Sequence, residues 1–197
     1  FGFSDTATDE RFRQSVLSAF DKLKAAPEIP GPKFVFFHTL IPHDPFVFGP
    51  RGERVTFSDP TGQLHGTQDG IPFYVGQLRF SNQLLLESID AILANSKTPP
   101  IIILQADEGF EVNEEVFGKQ TMEDIRVKGI SAFYIPEKDT SGLPQNLNSV
   151  NTFRYLFDLC FGTHFGMLEN ASYRDGDFLF QHRPAIRRAA GRADRSQ

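Results

Sequence analysis

Two short polar stretches, each following a run of apolar residues, carry the side chains that could do chemistry. The first holds His38 and His43, and the second holds Asp107 and Glu108. Imidazole and carboxylate groups together can bind a divalent cation, or they can recognise an anion and transfer a proton. Ligands of open parallel sheets bind beyond the carboxyl ends of the strands, so two neighbouring strands would bring both pairs to one edge.

Both pairs also have structural interpretations that need no ligand. His38 lies among apolar residues and can equally be a buried histidine with satisfied hydrogen bonds. His43 lies between two prolines in a rigid turn, which slightly favours a functional role. Asp107 and Glu108 precede Gly109, so they can form a polar exit from a strand into a turn. The acidic residues that follow are more typical of a solvated face than of a ligand set.

The elements that would position these residues alternate between strand and helix. Continuous apolar runs predict strands over 34–37 and 101–104, each buried on both faces, and a third strand is predicted over 129–136. A helix is predicted over 77–96, with one apolar face formed by Leu78, Leu85, Ile89, Ile92 and Leu93. A strand–helix–strand unit joins parallel neighbours, so the predicted fold class is α/β, with a mostly parallel sheet flanked by helices. The connection over 42–74 is either a lid over a substrate or a long surface loop.

Two further helices and an edge strand complete the predicted elements. Apolar residues at helical spacing predict a helix over 5–26, and a short edge strand is expected over 177–181. Another helix is predicted over 150–161, with Ser149 as its N-cap and Gly162 as its stop. Its apolar stripe, which we expect in the core, consists of Val150, Phe153, Phe157 and Cys160.

Composition and charge exclude several classes of protein. The 197 residues carry a net charge of −5, which argues against a general nucleic-acid binder. The longest apolar run, Ile101–Leu104, is too short to span a bilayer, and the single Cys160 excludes an internal disulfide framework. We expect one domain over 1–181, followed by a basic, disordered tail over 182–197.

Several stretches, taken together with their order and spacing, resemble one family. Residues 34–48 contain the pattern H-x-x-x-P-H-x-P-F, and residues 77–109 resemble a helix and strand that lead to an Asp-His-Gly motif. Residues 149–154 and the pair Ser172-Tyr173 resemble later segments. The resemblance is to sulfatase-like, membrane-anchored proteins of the alkaline phosphatase superfamily, whose relatives include lipoteichoic acid synthases and phosphoethanolamine transferases. It covers roughly residues 30–180.

The resemblance implies an alkaline-phosphatase-like α/β/α fold and metal-dependent hydrolysis or transfer of a sulfate or phosphate ester. It implies that Asp107 and Glu108 bind a divalent metal (Mn²⁺, Mg²⁺, Ca²⁺ or Zn²⁺) and that His43 contacts the ester anion. His43 and His38 are the residues expected to serve catalysis. It also implies a lipid-linked or cell-envelope substrate. The domain would lie on the extracytoplasmic face of the cell membrane, tethered by upstream transmembrane helices.

Two departures from the family pattern limit what this chain can do. The N-terminal half, which supplies the family's nucleophile and an acidic ligand, has no counterpart here, so we expect the fold to be incomplete. Glu108 replaces a histidine and adds negative charge to a site that must bind an anion. We therefore expect this chain alone to be inactive on aryl sulfates and phosphate esters. The alternatives are a degenerate, non-catalytic binding or regulatory module with the same fold, and an unrelated α/β domain.

Overall fold

A computed structural model describes residues 6–55, 66–144, 147–169, 171–174 and 177–181. The helices of this part are α1 (Thr6–Lys24), α2 (Ile71–Asn95), α3 (Glu114–Phe117), α4 (Lys119–Arg126) and α5 (Ser149–Phe161), with a 3-10 turn at Ala26–Glu28. The strands are β1 (Ile102–Gln105), β2 (Ser131–Tyr134), β3 (Ala171–Arg174) and β4 (Asp177–Gln181). The chain divides into two compact units: unit 1 holds residues 1–102 and 108–130, and unit 2 holds residues 103–107 and 131–197.

The strands of the described residues form two small sheets rather than one large one. β1 pairs with β2, and β3 pairs with β4 in an antiparallel register. Most of the regular structure is helical. The predicted fold class, a mostly parallel sheet flanked by helices as in sulfatases, is therefore wrong. The individual strands predicted over 101–104, 129–136 and 177–181 are confirmed as β1, β2 and β4.

The predicted strand over 34–37 explains much of this error. The sequence predicts a strand buried on both faces here, but Phe34, Val35 and Phe36 are 77%, 47% and 81% exposed. Phe37 alone packs inward, with its ring centroid 4.9 Å from that of Phe20. This stretch is not part of a strand in the described structure, so the strand–helix–strand unit predicted from it does not form.

Unit 1 has its core between α1, α2 and the loop that precedes α2. The helix predicted over 5–26 is confirmed as α1, and the helix predicted over 77–96 is confirmed as α2, which begins earlier, at Ile71. Acidic Asp9 in the first turn of α1 and basic Lys22 and Lys24 in its last turn suit the helix dipole. The buried core residues are Val16, Phe20, Ile41, Val47, Phe48, Phe80 and Leu84.

The buried face of α2 is rotated from the apolar stripe that the sequence predicts. Its buried residues are Gly76, Gln77, Phe80, Ser81, Leu84 and Ser88. The two serines are satisfied within the helix, because Ser81 Oγ donates to Leu78 O (2.9 Å) and Ser88 Oγ donates to Leu84 O (2.7 Å). Gln77 is completely buried and bonds outside the helix, to the loop described below.

In unit 2, α5 turns polar residues inward and aromatic residues outward. Its buried residues are Asn151, Thr152 and Leu156. The stripe predicted to lie in the core is wrong, because Val150, Phe153 and Phe157 are exposed and Cys160 is only half-buried. The N-cap is Asn148 rather than Ser149, and its side chain accepts from Asn151 N at 3.2 Å. The predicted stop is confirmed, since Gly162 adopts a left-handed conformation at φ 67°.

The inward polar face of α5 holds the loop that follows the helix. Asn151 makes two hydrogen bonds with the Leu168 backbone, donating from Nδ2 to its carbonyl (3.1 Å) and accepting from its N–H (2.9 Å). Arg154 Nε donates to Gly166 O at 2.7 Å. Asp158 accepts from the Thr163 hydroxyl at 2.7 Å and from two backbone N–H groups of the loop. Side-chain hydrogen bonds to the loop backbone therefore take the place of apolar burial along this face.

Asp158 should make unit 2 sensitive to acid. Hydrogen bonds from the Thr163 hydroxyl and from the backbone N–H groups of Phe165 and Gly166 hold the pKa of Asp158 below its ordinary value of 3.8. The ionised form thus favours the folded state, so this contribution is present above that ordinary value and is lost as pH falls through the lower folded value. We expect Asp158→Asn to lower the midpoint of thermal unfolding at neutral pH and to have less effect near pH 3. Circular dichroism at both pH values, with the exposed Asp90→Asn as control, checks this; an equal effect at both would contradict it.

The remaining sequence predictions fall partly outside the described residues. The tail over 182–197 lies outside them, as do residues 56–65 of the connection predicted over 42–74. Among the helices that the structure describes, none combines the length and the apolar character needed to cross a membrane.

Candidate functional site

The loop over residues 42–48, which presents His43, is built around the side chain of Gln77 from α2. Gln77 Oε1 accepts from the backbone N–H groups of Val47 (2.9 Å) and Phe48 (3.2 Å). Its Nε2 lies within hydrogen-bond distance of three backbone carbonyl oxygens, those of Pro42 (3.3 Å), His43 (2.7 Å) and Pro45 (3.3 Å). The loop contains cis peptide bonds at Ile41-Pro42 and Asp44-Pro45. One buried amide therefore supplies partners for backbone groups along the whole loop.

Arg13 from α1 holds the end of the same loop. Its Nη1 donates to Val47 O at 2.6 Å, and its Nη2 donates to Gly52 O at 3.0 Å. The guanidinium lies 4.4 Å from the centre of the Phe48 ring, a distance at which a cation–π attraction contributes. Two helices thus fix the position of the loop before any ligand arrives.

His43 forms a histidine–carboxylate pair with its neighbour Asp44. Nδ1 of His43 lies 2.5 Å from Asp44 Oδ1 and 3.0 Å from the Asp44 carbonyl oxygen. Both acceptors favour a proton on Nδ1, which makes Nε2 the basic nitrogen of the neutral ring. The two side chains are 55% and 41% exposed. Both side chains of the pair are therefore partly exposed to solvent.

His38 differs from His43 in its surroundings. It is exposed rather than buried, so the structural interpretation of His38 as a buried histidine is wrong. Its ring stacks on the ring of Phe36, with centroids 6.4 Å apart and planes inclined by 18°. A catalytic role for His38 stays a prediction.

Glu108 is engaged by an arginine of α4. Arg126 donates to Glu108 Oε2 from Nε (3.0 Å) and from Nη2 (2.7 Å), while its Nη1 reaches Glu111 Oε1 at 3.4 Å. The hydrogen bond with Glu108 is the largest of the causes that raise the pKa of Arg126. Glu108 is thus a partner of the C-terminal end of α4, and a metal that used its Oε2 would compete with Arg126 for that oxygen. Its role as a metal ligand stays a prediction.

Gly109 brings the backbone next to Glu108 into close contact with the end of α4. Its N–H donates to Arg126 O at 2.6 Å. A Cβ atom built on Gly109 would lie 2.0 Å from the Ile125 carbonyl oxygen. The Glu-Gly pair therefore has a clear structural purpose in unit 1.

Asp107 belongs to unit 2 and is exposed, two residues after the end of β1. The last residue of β1, Gln105, donates from Nε2 to Thr152 Oγ1 of α5 at 3.0 Å. Within the described residues, no group of three or more histidine, cysteine, aspartate or glutamate side chains is arranged to hold a metal ion. The described donors therefore do not form a recognisable metal site, and the metal predicted from the resemblance remains a prediction.

Sequence reasoning missed three residues that shape the loop: Asp44, Gln77 and Arg13. A signal for Gln77 exists, because it occupies the helical position in line with Phe80 and Leu84, where an apolar residue is usual. A polar residue on a buried face must find hydrogen-bond partners, which points to an irregular backbone nearby.

Comparisons with protein-family models, with curated proteins and with solved structures found no match to this chain.

Proposed function

We propose that His43 is the acid–base residue of a site that hydrolyses or transfers a phosphate or sulfate ester. The proposal depends on one contact, that between His43 Nδ1 and the Asp44 carboxylate, 2.5 Å apart. The class of ester comes from the sequence resemblance around the H-x-x-x-P-H-x-P-F pattern. The histidine–carboxylate pair supports proton transfer because it fixes which ring nitrogen is basic.

The pair would transfer one proton in each direction. Nε2 of His43 accepts a proton from the attacking hydroxyl or water, and Asp44 stabilises the imidazolium that forms. As the bond from phosphorus or sulfur to the attacking oxygen forms, the bond to the leaving group breaks; the departing oxygen takes a proton from solvent, and Nε2 then returns its proton to solvent. Gln77 serves as a positioning residue, because its hydrogen bonds to the backbone of His43 and to neighbouring residues fix the loop. None of these steps depends on the predicted metal.

A second candidate function is a non-catalytic binding or regulatory module. It is favoured by the engagement of Glu108 by Arg126, which occupies a carboxylate that the resemblance assigns to the metal. In that case the His43 loop would recognise an anionic group without turning it over.

The tautomer of His43 is the first testable consequence of the proposal. In the neutral ring of the intact chain we expect the proton on Nδ1, because Asp44 accepts there. We expect Asp44→Ala to shift the population towards the Nε2–H form. Nitrogen chemical shifts of ¹⁵N-labelled histidine measure this directly, and His38, exposed but stacked on Phe36, serves as the control in the same spectrum. Identical tautomer populations at His38 and His43 would contradict the assigned pair.

The ester class can be tested with phenyl phosphate and phenyl sulfate as probes. We expect either probe to cause saturable shifts of the His43 ring signals, because a ring N–H can donate a hydrogen bond to an anionic oxygen. The shifts should be absent at His38, and His43→Gln should abolish probe binding while leaving the circular dichroism spectrum intact. If neither probe shifts His43 more than His38, the proposed ester site is not there.

A further inference from the structure

Residues 34–41, here called the extended segment, have the exposure pattern of a β-strand with only one face covered. From Phe36 onward the exposure alternates: Phe36, His38 and Leu40 point to solvent, whereas Phe37 and Thr39 are half-buried and Ile41 is buried. A period of two is that of an extended chain. Phe37 and Ile41 attach the inner face to the core of unit 1.

Among the described residues, no strand pairs with the backbone of the extended segment. In the part of the chain that the structure describes, no main-chain hydrogen bond involves an N–H or C=O group of residues 34–39. These residues belong to no helix or strand there. A row of unpaired backbone groups is a template for another extended chain. A partner that fits this segment is therefore another β-strand. Because Phe34, Phe36 and Leu40 are exposed, that strand should carry apolar side chains on the same face.

We propose that the extended segment pairs with the same segment of a second copy of this chain, antiparallel and centred on Phe36. This register places Phe36 opposite Phe36 and Phe34 opposite His38, so that aromatic residues meet on the exposed face. Lys33, the residue just before the segment, falls opposite Thr39, and no like charges oppose each other. A twofold axis between the copies relates the two segments, and each segment then pairs the backbone groups on one of its two sides with the other copy.

The exposed area indicates how tight this dimer is. Phe34 and Phe36 are 77% and 81% exposed. A phenylalanine can bury about 150–250 Å². A standard interface buries about 800 Å² per partner. The two rings with Val35 and Leu40 fall short of that area, so the dimer should dissociate on dilution.

Sedimentation velocity over a range of concentrations of the 197-residue chain tests the proposal. We expect a concentration-dependent monomer–dimer equilibrium in the unaltered chain. Phe36→Lys removes an apolar side chain from both copies and sets two ammonium groups opposite each other, so dissociation should become easier by at least about a hundredfold. Phe161→Lys makes the same change at another exposed phenylalanine, on α5, and should leave the equilibrium unchanged.

Hydrogen exchange identifies the surface involved. Alternate amides within residues 34–38 should become protected as the concentration of the unaltered chain rises, and they should stay unprotected in Phe36→Lys. Circular dichroism establishes that the variant is folded, and Phe34→Lys replaces it if it is not. Three outcomes overturn the proposal. The chain could be a monomer at every concentration, the dissociation constant of the dimer could be unchanged by Phe36→Lys, or Phe161→Lys could raise that constant as much as Phe36→Lys does.

Discussion

Replacing Gln77 with glutamate is expected to cause the largest loss of stability of any single change in unit 1. The buried Nε2 lies 2.7–3.3 Å from three carbonyl oxygens. A carboxylate oxygen in its place would face them with no proton to donate. A buried polar group left unsatisfied costs about 1–3 kcal/mol. With several such groups and a buried charge, we expect a loss of about 4 kcal/mol or more at neutral pH.

The pH dependence of Gln77→Glu has a defined sign. Burial against carbonyl oxygens would raise the pKa of the new carboxyl in the folded state, because only the protonated group can donate a hydrogen bond. The destabilisation should be smallest below the unfolded pKa of about 4.3 and should grow as pH rises towards the folded value. Urea unfolding followed by circular dichroism at several pH values measures it. Hydrogen exchange over residues 42–48 reports the loop separately.

Two control variants make the Gln77 experiment specific. Gln77→Leu removes every hydrogen bond without adding a titratable group, so it should be destabilising with no added pH dependence. Gln68→Glu introduces the same charge at an exposed position just before α2 and should be close to neutral. If Gln77→Glu unfolds no more readily than Gln68→Glu, the hydrogen bonds assigned to Gln77 do not hold the loop.

Gly109→Ala is expected to have the second largest effect. The new Cβ would lie 2.0 Å from the Ile125 carbonyl oxygen, so the backbone near Gly109 or the end of α4 must move. Either movement strains the hydrogen bond from Gly109 N–H to Arg126 O and the contact between Glu108 and Arg126. Forcing atoms into a packed site costs about 1–3 kcal/mol. We expect the upper end of that range, because backbone cannot rotate aside as a side chain can.

Near-ultraviolet circular dichroism during urea unfolding suits the Gly109 experiment. The next residue, Phe110, stacks on Tyr74 with ring centroids 3.9 Å apart, so a displaced backbone should also change the tyrosine signal. Gly142→Ala is the matched control, since a Cβ there would meet nothing within 4 Å. A Gly109→Ala protein as stable as Gly142→Ala would mean that this close approach is absent in solution.

The sequence predicts the elements of this chain better than their arrangement. The spacing of apolar residues and the positions of turn residues depend only on nearby sequence. These signals correctly locate α1, α2, α5, β1, β2 and β4. The strand expected over 34–37 fails because apolar residues show only that burial would be favourable, not that a covering partner is present. On α5, hydrogen bonds made by Asn151, Arg154 and Asp158 outweigh the phenylalanine stripe, and their partners lie in a loop whose path the sequence does not reveal.

In the candidate site too, individual residues are easier to predict from the sequence than the contacts between them. His43 could be selected from its position between two prolines, because proline restricts the backbone around it. Its pairing with Asp44 depends on the path of the loop, and that path depends on Gln77, more than thirty positions later in the chain. The ligand role of Glu108 depends likewise on Arg126, whose position follows from the contact between Gly109 and α4.

The polar inward face of α5 also affects how unit 2 responds to temperature and denaturant. Heat capacity changes and denaturant slopes both scale with the surface exposed on unfolding, and apolar surface dominates the heat capacity term. The phenylalanine face of α5 is already exposed in the folded chain. Release of α5 and its loop would therefore add little to the heat capacity change, although the backbone that it exposes would still add to the denaturant slope. The free energy of that local opening should vary only gently with temperature, so cooling, which weakens apolar packing elsewhere, would leave this helix and its loop in place.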